Sequence, residues 1–85
     1  MTHDPAEWLA DWLLTDMGGD TAGITTFLEG LQGGARPQRR LGNLYAASIT
    51  DGGLLLENLM EEDWPPVLVP AALALPALTD AAGGG

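Results

Sequence analysis

The chain contains no cysteine, and this absence removes several kinds of chemistry at once. It excludes a disulfide framework, a thiolate metal site and a cysteine nucleophile, and it is typical of reducing compartments. The opening residues Met1 to Pro5 lack the positive region and apolar run of a secretory signal. The longest uncharged run, Trp64 to Thr79, is too short and too rich in proline to span a bilayer. We therefore expect a soluble, cytoplasmic protein that does not contact a membrane.

Basic residues are also scarce. The chain has no lysine and three arginines against twelve aspartates and glutamates, which gives a formal net charge of −9. Direct nucleic-acid binding is not expected, because contacts to phosphate depend on lysine and arginine. The acidity has two explanations. It either keeps a small chain soluble, or it forms a binding surface for a protein partner that carries a basic patch.

Residues that commonly carry out catalysis are few. His3 is the only histidine and lies at the terminus, while Ser48, the only serine, lies on a predicted buried stripe. Glu57 and Glu61 share a predicted helix face, but paired carboxylates act as acid and base only where a pocket shifts their pKa values. The glycine-containing segment that begins at Asp16 lacks the final glutamate of a calcium-binding loop. We therefore expect no enzymatic activity, no cofactor and no metal ion.

The strongest helical pattern lies in residues 7–14, EWLADWLL, which hold two of the three tryptophans. At about 100° per residue, the apolar side chains of this segment cover roughly 240° of the helix surface. An ordinary surface helix needs an apolar stripe of only about 100°. The pattern thus predicts a central helix with neighbours on two sides, capped by Asp4, begun by Pro5 and extending to about Met17 before Gly18 and Gly19.

Three further helices are predicted. One follows Asp20 and ends near Gly33, one begins at Pro37, and one follows Gly53. The predicted fold class is therefore all-α, a small bundle of about four helices with a proline-bent apolar C-terminal segment. We expect one acidic domain over residues 1–85, with residues 1–3 and 80–85 disordered. The predicted core consists of large apolar residues, namely Trp8, Trp12, Leu13, Phe27, Leu28, Leu44, Leu55 and Leu59.

The apolar C-terminal segment begins at Trp64-Pro65-Pro66, and its side chains need cover from water. It can fold back across the bundle and complete the core beside Trp8 and Trp12. Alternatively, part of it stays exposed and contacts a partner or a second copy of the chain, with Trp64 as an aromatic anchor. We further expect Pro70 to open a short helix that Pro76 kinks or ends within two turns.

Charged residues supply the remaining candidates for a binding site. Arg36, Arg39 and Arg40 lie within five positions on one face of the third predicted helix. They can pair with the protein's own carboxylates or contact an anionic group on a partner. The candidate partner-binding residues are Glu57, Glu61, Glu62, Asp63, Trp64, Arg36, Arg39 and Arg40.

Two non-catalytic functions fit this inventory. The first is a small acidic inhibitor or adaptor that docks on a larger protein. By composition alone, this resembles phage- or mobile-element-encoded inhibitors of host enzymes such as anti-CRISPR proteins, as well as antitoxins and immunity proteins. The second is an accessory or structural subunit whose apolar C-terminal segment forms an obligate oligomer interface. A homodimer is possible, and an obligate oligomer would favour the second function.

Overall fold

The computed structural model describes residues 4–61 and 63–83, and it overturns the all-α prediction. Those residues form three helices and a four-stranded antiparallel sheet of order β1-β2-β3-β4. The elements in chain order are α1 (Pro5–Leu14), α2 (Thr21–Leu31), β1 (Arg40–Leu41), β2 (Tyr45–Thr50), β3 (Gly53–Asn58), β4 (Val67–Pro70) and α3 (Ala71–Ala82).

The first two helices confirm the predictions made from their capping residues. The Asp4 carboxylate accepts a hydrogen bond from the Ala6 amide at 3.0 Å, and Pro5 is the first residue of α1. The Asp20 carboxylate caps α2 by accepting from the Gly23 amide at 3.0 Å. α1 ends at Leu14 and not near Met17, because residues 15–19 form turns.

The third and fourth predicted helices are strands. β2 pairs with β3 in a hairpin whose register places Ala47 opposite Leu56 and Ile49 opposite Leu54. Every second residue of each strand points to the same side of a sheet, and these four side chains share the buried side. The apolar residues of this region also fit a helical spacing, and that coincidence made the helix prediction wrong.

The C-terminal segment folds back on the chain's own core, as the first of the two alternatives predicted. β4 pairs with β3, and Val67 and Val69 are buried. α3 then continues through Pro76 to Ala82, so the expected break at that proline and the fraying from residue 80 are not observed. Pro76 lies on the exposed side of α3, where its missing N–H removes the helical hydrogen bond to the Ala72 carbonyl. Residues 1–3, 84 and 85, which were also predicted to be disordered, lie outside the described residues.

The helices cover one face of the sheet. Their buried side chains form one cluster with the inward-facing residues of β2, β3 and β4, namely Trp8, Leu9, Trp12, Met17, Ile24, Phe27, Tyr45, Ala47, Ile49, Leu54, Leu56, Val67, Val69, Ala74 and Leu78. The opposite face carries Leu41, which is 66% exposed, together with Leu55 and Leu68.

Most of the predicted core is confirmed. Trp8, Trp12 and Phe27 are buried, and Leu13, Leu28 and Leu44 are partly buried against the cluster. The other two residues lie outside this cluster. Leu55 alternates with its inward-facing neighbours and therefore lies on the uncovered face of the sheet, while Leu59 follows the end of β3 and is 36% exposed.

Asp16 fastens the turns after α1 to the turn between β1 and β2. Its carboxylate accepts hydrogen bonds from the Leu44 amide at 3.1 Å and from the Tyr45 amide at 2.8 Å. The carboxylate lies against the backbone of Gly42, where any side chain would collide with it. This contact fixes the position of Tyr45 at the start of β2, and Tyr45 in turn supports the candidate site.

Candidate protein-binding surface

The loop that joins β3 to β4, residues 59–66, carries half of the predicted partner-binding residues; we call it the acidic loop. The Asn58 side-chain oxygen accepts hydrogen bonds from the Met60 amide at 2.9 Å and the Glu61 amide at 3.1 Å. This turn directs Met60 outward, where it is 68% exposed, and Glu61 and Asp63 are exposed as well. The surface thus presents apolar side chains among carboxylates. Glu62 lies outside the described residues.

Trp64 anchors the end of the acidic loop to α1. Its amide donates to the Glu61 carbonyl at 3.1 Å, and its half-buried indole lies 6.1 Å from the Trp8 ring, centroid to centroid. The Trp8 ring also contacts Tyr45, with centroids 5.7 Å apart. Aromatic pairs at these separations attract each other beyond the effect of burial alone. The loop therefore rests on a three-ring stack that joins it to α1 and β2.

Tyr45 forms the base of this stack and donates a hydrogen bond from its hydroxyl to the Asp11 carboxylate at 2.6 Å. Burial raises the pKa of the Tyr45 phenol, and the hydrogen bond to Asp11 and the negative charges of Asp11 and Asp16 raise it further. Each of these causes favours the neutral phenol, which is a donor and not a nucleophile at neutral pH. The contact between Tyr45 and Asp11 is therefore structural.

A depression of about 290 Å³ lies beside the indole of Trp64 and is lined by Glu57, Asn58, Leu59, Trp64 and Pro66. An indole face and a carboxylate together suit a lysine or arginine side chain, since the ring attracts a cation and the carboxylate pairs with it. The depression thus combines an apolar wall with the Glu57 carboxylate, which also pairs with Arg39 at 2.8 Å.

The arginines do not form the predicted cluster. Arg36 pairs with Asp51 at 2.7 Å in the β2–β3 turn, and Arg40 pairs with Asp20 at 2.6 Å at the start of α2. The one-helix arrangement is wrong because residues 35–39 belong to no helix and Arg40 begins β1, so the three side chains reach carboxylates in different elements. Internal pairing, one of the two alternatives, is what the structure shows for each arginine.

Arg39 forms the third ion pair, with Glu57 at 2.8 Å. Because β2 lies between β1 and β3, this pair crosses β2 on the uncovered face of the sheet. It passes near Ala46, which is the register partner of Glu57. Ala46 is buried although no helix covers that face of the sheet. Arg39 is the arginine that the structure brings next to the acidic loop.

The Arg40 pair has an electrostatic consequence for α2. The hydrogen bond from Arg40, followed by the one from the Gly23 amide, holds the pKa of the Asp20 carboxyl below its usual value, while burial opposes this shift. Asp20 therefore remains ionised and continues to cap α2 in mildly acidic solution.

Over 4–61 and 63–83, no three histidine, cysteine, aspartate or glutamate side chains are grouped so that they could hold a metal ion. Ser48 lies in β2 on the uncovered face of the sheet, and not on a buried helix stripe as predicted. Within the same ranges, every helix is too short or too polar to cross a bilayer.

Several residues of this surface were not foreseen. Sequence reasoning singled out Glu57, Glu61, Asp63 and Trp64, and the structure places them at one end of the sheet. It missed Asn58, whose side chain bonds to the backbone two and three residues ahead. That turn is one that asparagine commonly forms, so the signal was present in the sequence.

Comparisons of the chain with models of protein families, with curated proteins and with solved structures found no match.

Proposed function

We propose that this protein is a non-catalytic binding module that docks through the acidic loop and Trp64 on a basic patch of a larger protein. The observation that carries the proposal is the composition of this surface. Leu59, Met60 and Trp64 supply apolar area, and Glu61 and Asp63 of the same loop carry exposed carboxylates. Interfaces commonly combine an apolar centre that holds an aromatic anchor with a polar rim.

The charge of the whole chain supports a basic partner. Each arginine already has a carboxylate partner within the chain, and there is no lysine. The formal net charge of −9 therefore persists after internal pairing. Such a charge attracts a basic surface over a distance of about 8–10 Å at moderate ionic strength, so that association is fast at low salt.

An inhibitor or adaptor fits this surface better than an obligate subunit does. The subunit alternative relies on an apolar C-terminal segment that is free to form an interface. Val67, Val69, Ala74 and Leu78 of that segment are buried in the protein's own core. Size-exclusion chromatography with light scattering separates the alternatives: the inhibitor or adaptor requires a well-folded monomer, whereas the subunit requires an oligomer.

The proposal is tested with two variants of equal charge change. Glu61→Lys alters the acidic loop, while Glu29→Lys alters an exposed residue of α2. Parent and variants are used to capture proteins from lysate of the source cells. The partner must be retained by the parent and by Glu29→Lys, and it must be lost from Glu61→Lys.

Stopped-flow association with the purified partner then checks the electrostatic mechanism. The association rate should fall by about tenfold or more between low and physiological ionic strength. A partner that binds both variants equally well, at a rate indifferent to salt, would show that the acidic loop serves solubility and not recognition.

A further inference from the structure

A second surface lies between α1 and α3, on the side of α1 that faces away from Trp8. It is a groove of about 360 Å³. Its walls are mostly alanine and leucine, with Ala6, Ala10 and Leu13 on α1 and Leu73, Ala77 and Asp80 on α3. The groove exists because these alanines are small and because α3 packs mainly against α2 and only lightly against α1.

Exposed leucines extend the apolar surface beyond the groove. Leu14, 79% exposed, follows Ala10 by four residues and so lies next to it on the helix surface. Leu73 is exposed on the opposite wall. An apolar groove between two helices, edged by leucines, has the shape that accepts the apolar stripe of a third helix.

The charges around the groove decide which helix fits. Asp80 lies on its wall, in a chain whose formal net charge is −9. The three arginines pair with carboxylates outside α1 and α3. These are Asp20 at the N-cap of α2, Asp51 in the β2–β3 turn and Glu57 in β3. Negative charge therefore borders the groove, and the three arginines lie elsewhere.

We propose that the groove between α1 and α3 binds an amphipathic helix whose apolar stripe is flanked by lysine or arginine. A second copy of this chain does not fit, because α1, α2 and α3 bring further carboxylates and no basic side chain. An anionic lipid surface is excluded by the same repulsion. This inference concerns a surface separate from the acidic loop and does not depend on it.

The probe is a synthetic, fluorescein-labelled peptide of about 14 residues, with leucines at positions i, i+3, i+4 and i+7 and lysines between them. One matched peptide replaces each lysine with glutamate, and another keeps the composition but scatters the leucines around the helix. Fluorescence anisotropy should show binding of the first peptide, and the two matched peptides should bind at least about tenfold more weakly.

Two protein variants locate the bound peptide. Ala10→Lys places a cation in the groove, whereas Ala22→Lys makes the same charge change at an exposed alanine of α2. Lysine is nearly as good a helix former as alanine, and thermal melts of both variants check that the fold is kept. Ala10→Lys should weaken binding about tenfold or more, and Ala22→Lys about twofold or less.

Three results would overturn the inference. The inference fails directly if the lysine peptide does not bind. Equal binding of the scattered peptide, or equal weakening by Ala10→Lys and Ala22→Lys, would mean that net charge alone attracts the probe. Weakening by Glu61→Lys but not by Ala10→Lys would place the peptide on the acidic loop, which contradicts the groove inference and leaves the proposed function standing.

Discussion

Trp12 is the side chain whose loss should disturb the core most. It is fully buried, and its ring meets Phe27 edge-on, at a centroid distance of 5.4 Å and an interplanar angle of 81°. Its Nε1 is buried and has no hydrogen-bond partner among the described residues, so its contribution comes from packing. Trp12→Ala should lower the free energy of unfolding by about 3–5 kcal/mol, through lost burial and the cavity that remains.

Urea denaturation measures this change, and two variants provide controls. Leu14→Ala removes an apolar side chain of the same helix that is already in water, so it should change stability by less than about 0.5 kcal/mol. Trp12→Phe should cost less than Trp12→Ala, because it keeps an aromatic ring and leaves no hydrogen bond broken. A Trp12→Ala protein as stable as the parent would contradict the central position of α1.

Tyr45 predicts how stability depends on alkaline pH. Because folding raises the pKa of its phenol, the folded chain holds this proton more tightly than the unfolded chain does. The resulting stability is complete below a pH of about 10, where the phenol is protonated in both states, and it is lost as the pH rises above that value. The parent should therefore lose stability above that pH.

Tyr45→Phe isolates this effect. The variant gives up the hydrogen bond to the Asp11 carboxylate, which should cost about 1.5–3 kcal/mol at neutral pH, but it should not show the alkaline loss that the phenol causes. Circular dichroism during denaturant titrations at several pH values measures both quantities. Tyr45 is the only tyrosine, so the ultraviolet absorbance of tyrosinate reports on it alone. If the Tyr45 phenol titrates in the folded protein at the pH of an unfolded chain, the contact with Asp11 does not persist in solution.

Helices α1 and α2 could be predicted because their ends are marked in the sequence. Asp4 and Asp20 precede them, and glycines follow them, so the local signals and the helical spacing agree. The β2–β3 hairpin was missed because Tyr45, Ser48 and Ile49 also fit a helical stripe, and because the alanines between them carry little hydrophobic contrast.

The turn of this hairpin was the informative signal. Asp51-Gly52 separates the two strands, and such a pair between apolar runs is one of the strongest local indications of a hairpin. The pairing of β4 with β3 could not be read in the same way, since residues 59–66 separate the two strands and no two-residue turn joins them. The same limit applies to the ion pairs of the arginines, whose partners are fixed only once the strands are in register.

The C-terminal elements can be tested by truncation after Asp63. This change removes β4 and α3, which exposes the edge of β3 and deprives Leu54 and Leu56 of their cover. We expect the truncated chain to lose its cooperative thermal transition, because each of the lost elements contributes to the single core. Truncation after Gly83 is the matched control, since it leaves α3 whole. A chain ending at Asp63 that melts near the temperature of the parent would refute the arrangement of the sheet.

At the scale of the whole molecule, the candidate site was partly predictable because it is contiguous. Glu61, Asp63 and Trp64 follow one another in the chain, and any fold would keep them close. The support under them was not predictable, because Trp8 and Tyr45 come from α1 and β2. The groove between α1 and α3 was likewise hidden, since the sequence did not reveal that α3 exists as a full helix.

The balance of charge over the molecule gives the last prediction. Three ion pairs attract, and exposed pairs of this kind are worth at most about 1 kcal/mol each. Against them stands the mutual repulsion of a chain with a formal net charge of −9. Salt screens the attraction of the ion pairs and the repulsion alike. Because the repulsion involves more charges at longer range, its weakening should have the larger effect on stability. The thermal midpoint should rise as potassium chloride is increased from about 10 to about 150 mM, over which the screening length shortens from about 30 to about 8 Å.

Glu29→Gln, which removes one exposed charge outside the ion pairs, should raise the midpoint at low salt and reduce its dependence on salt. A midpoint that falls as salt is added would show instead that the three ion pairs outweigh the repulsion.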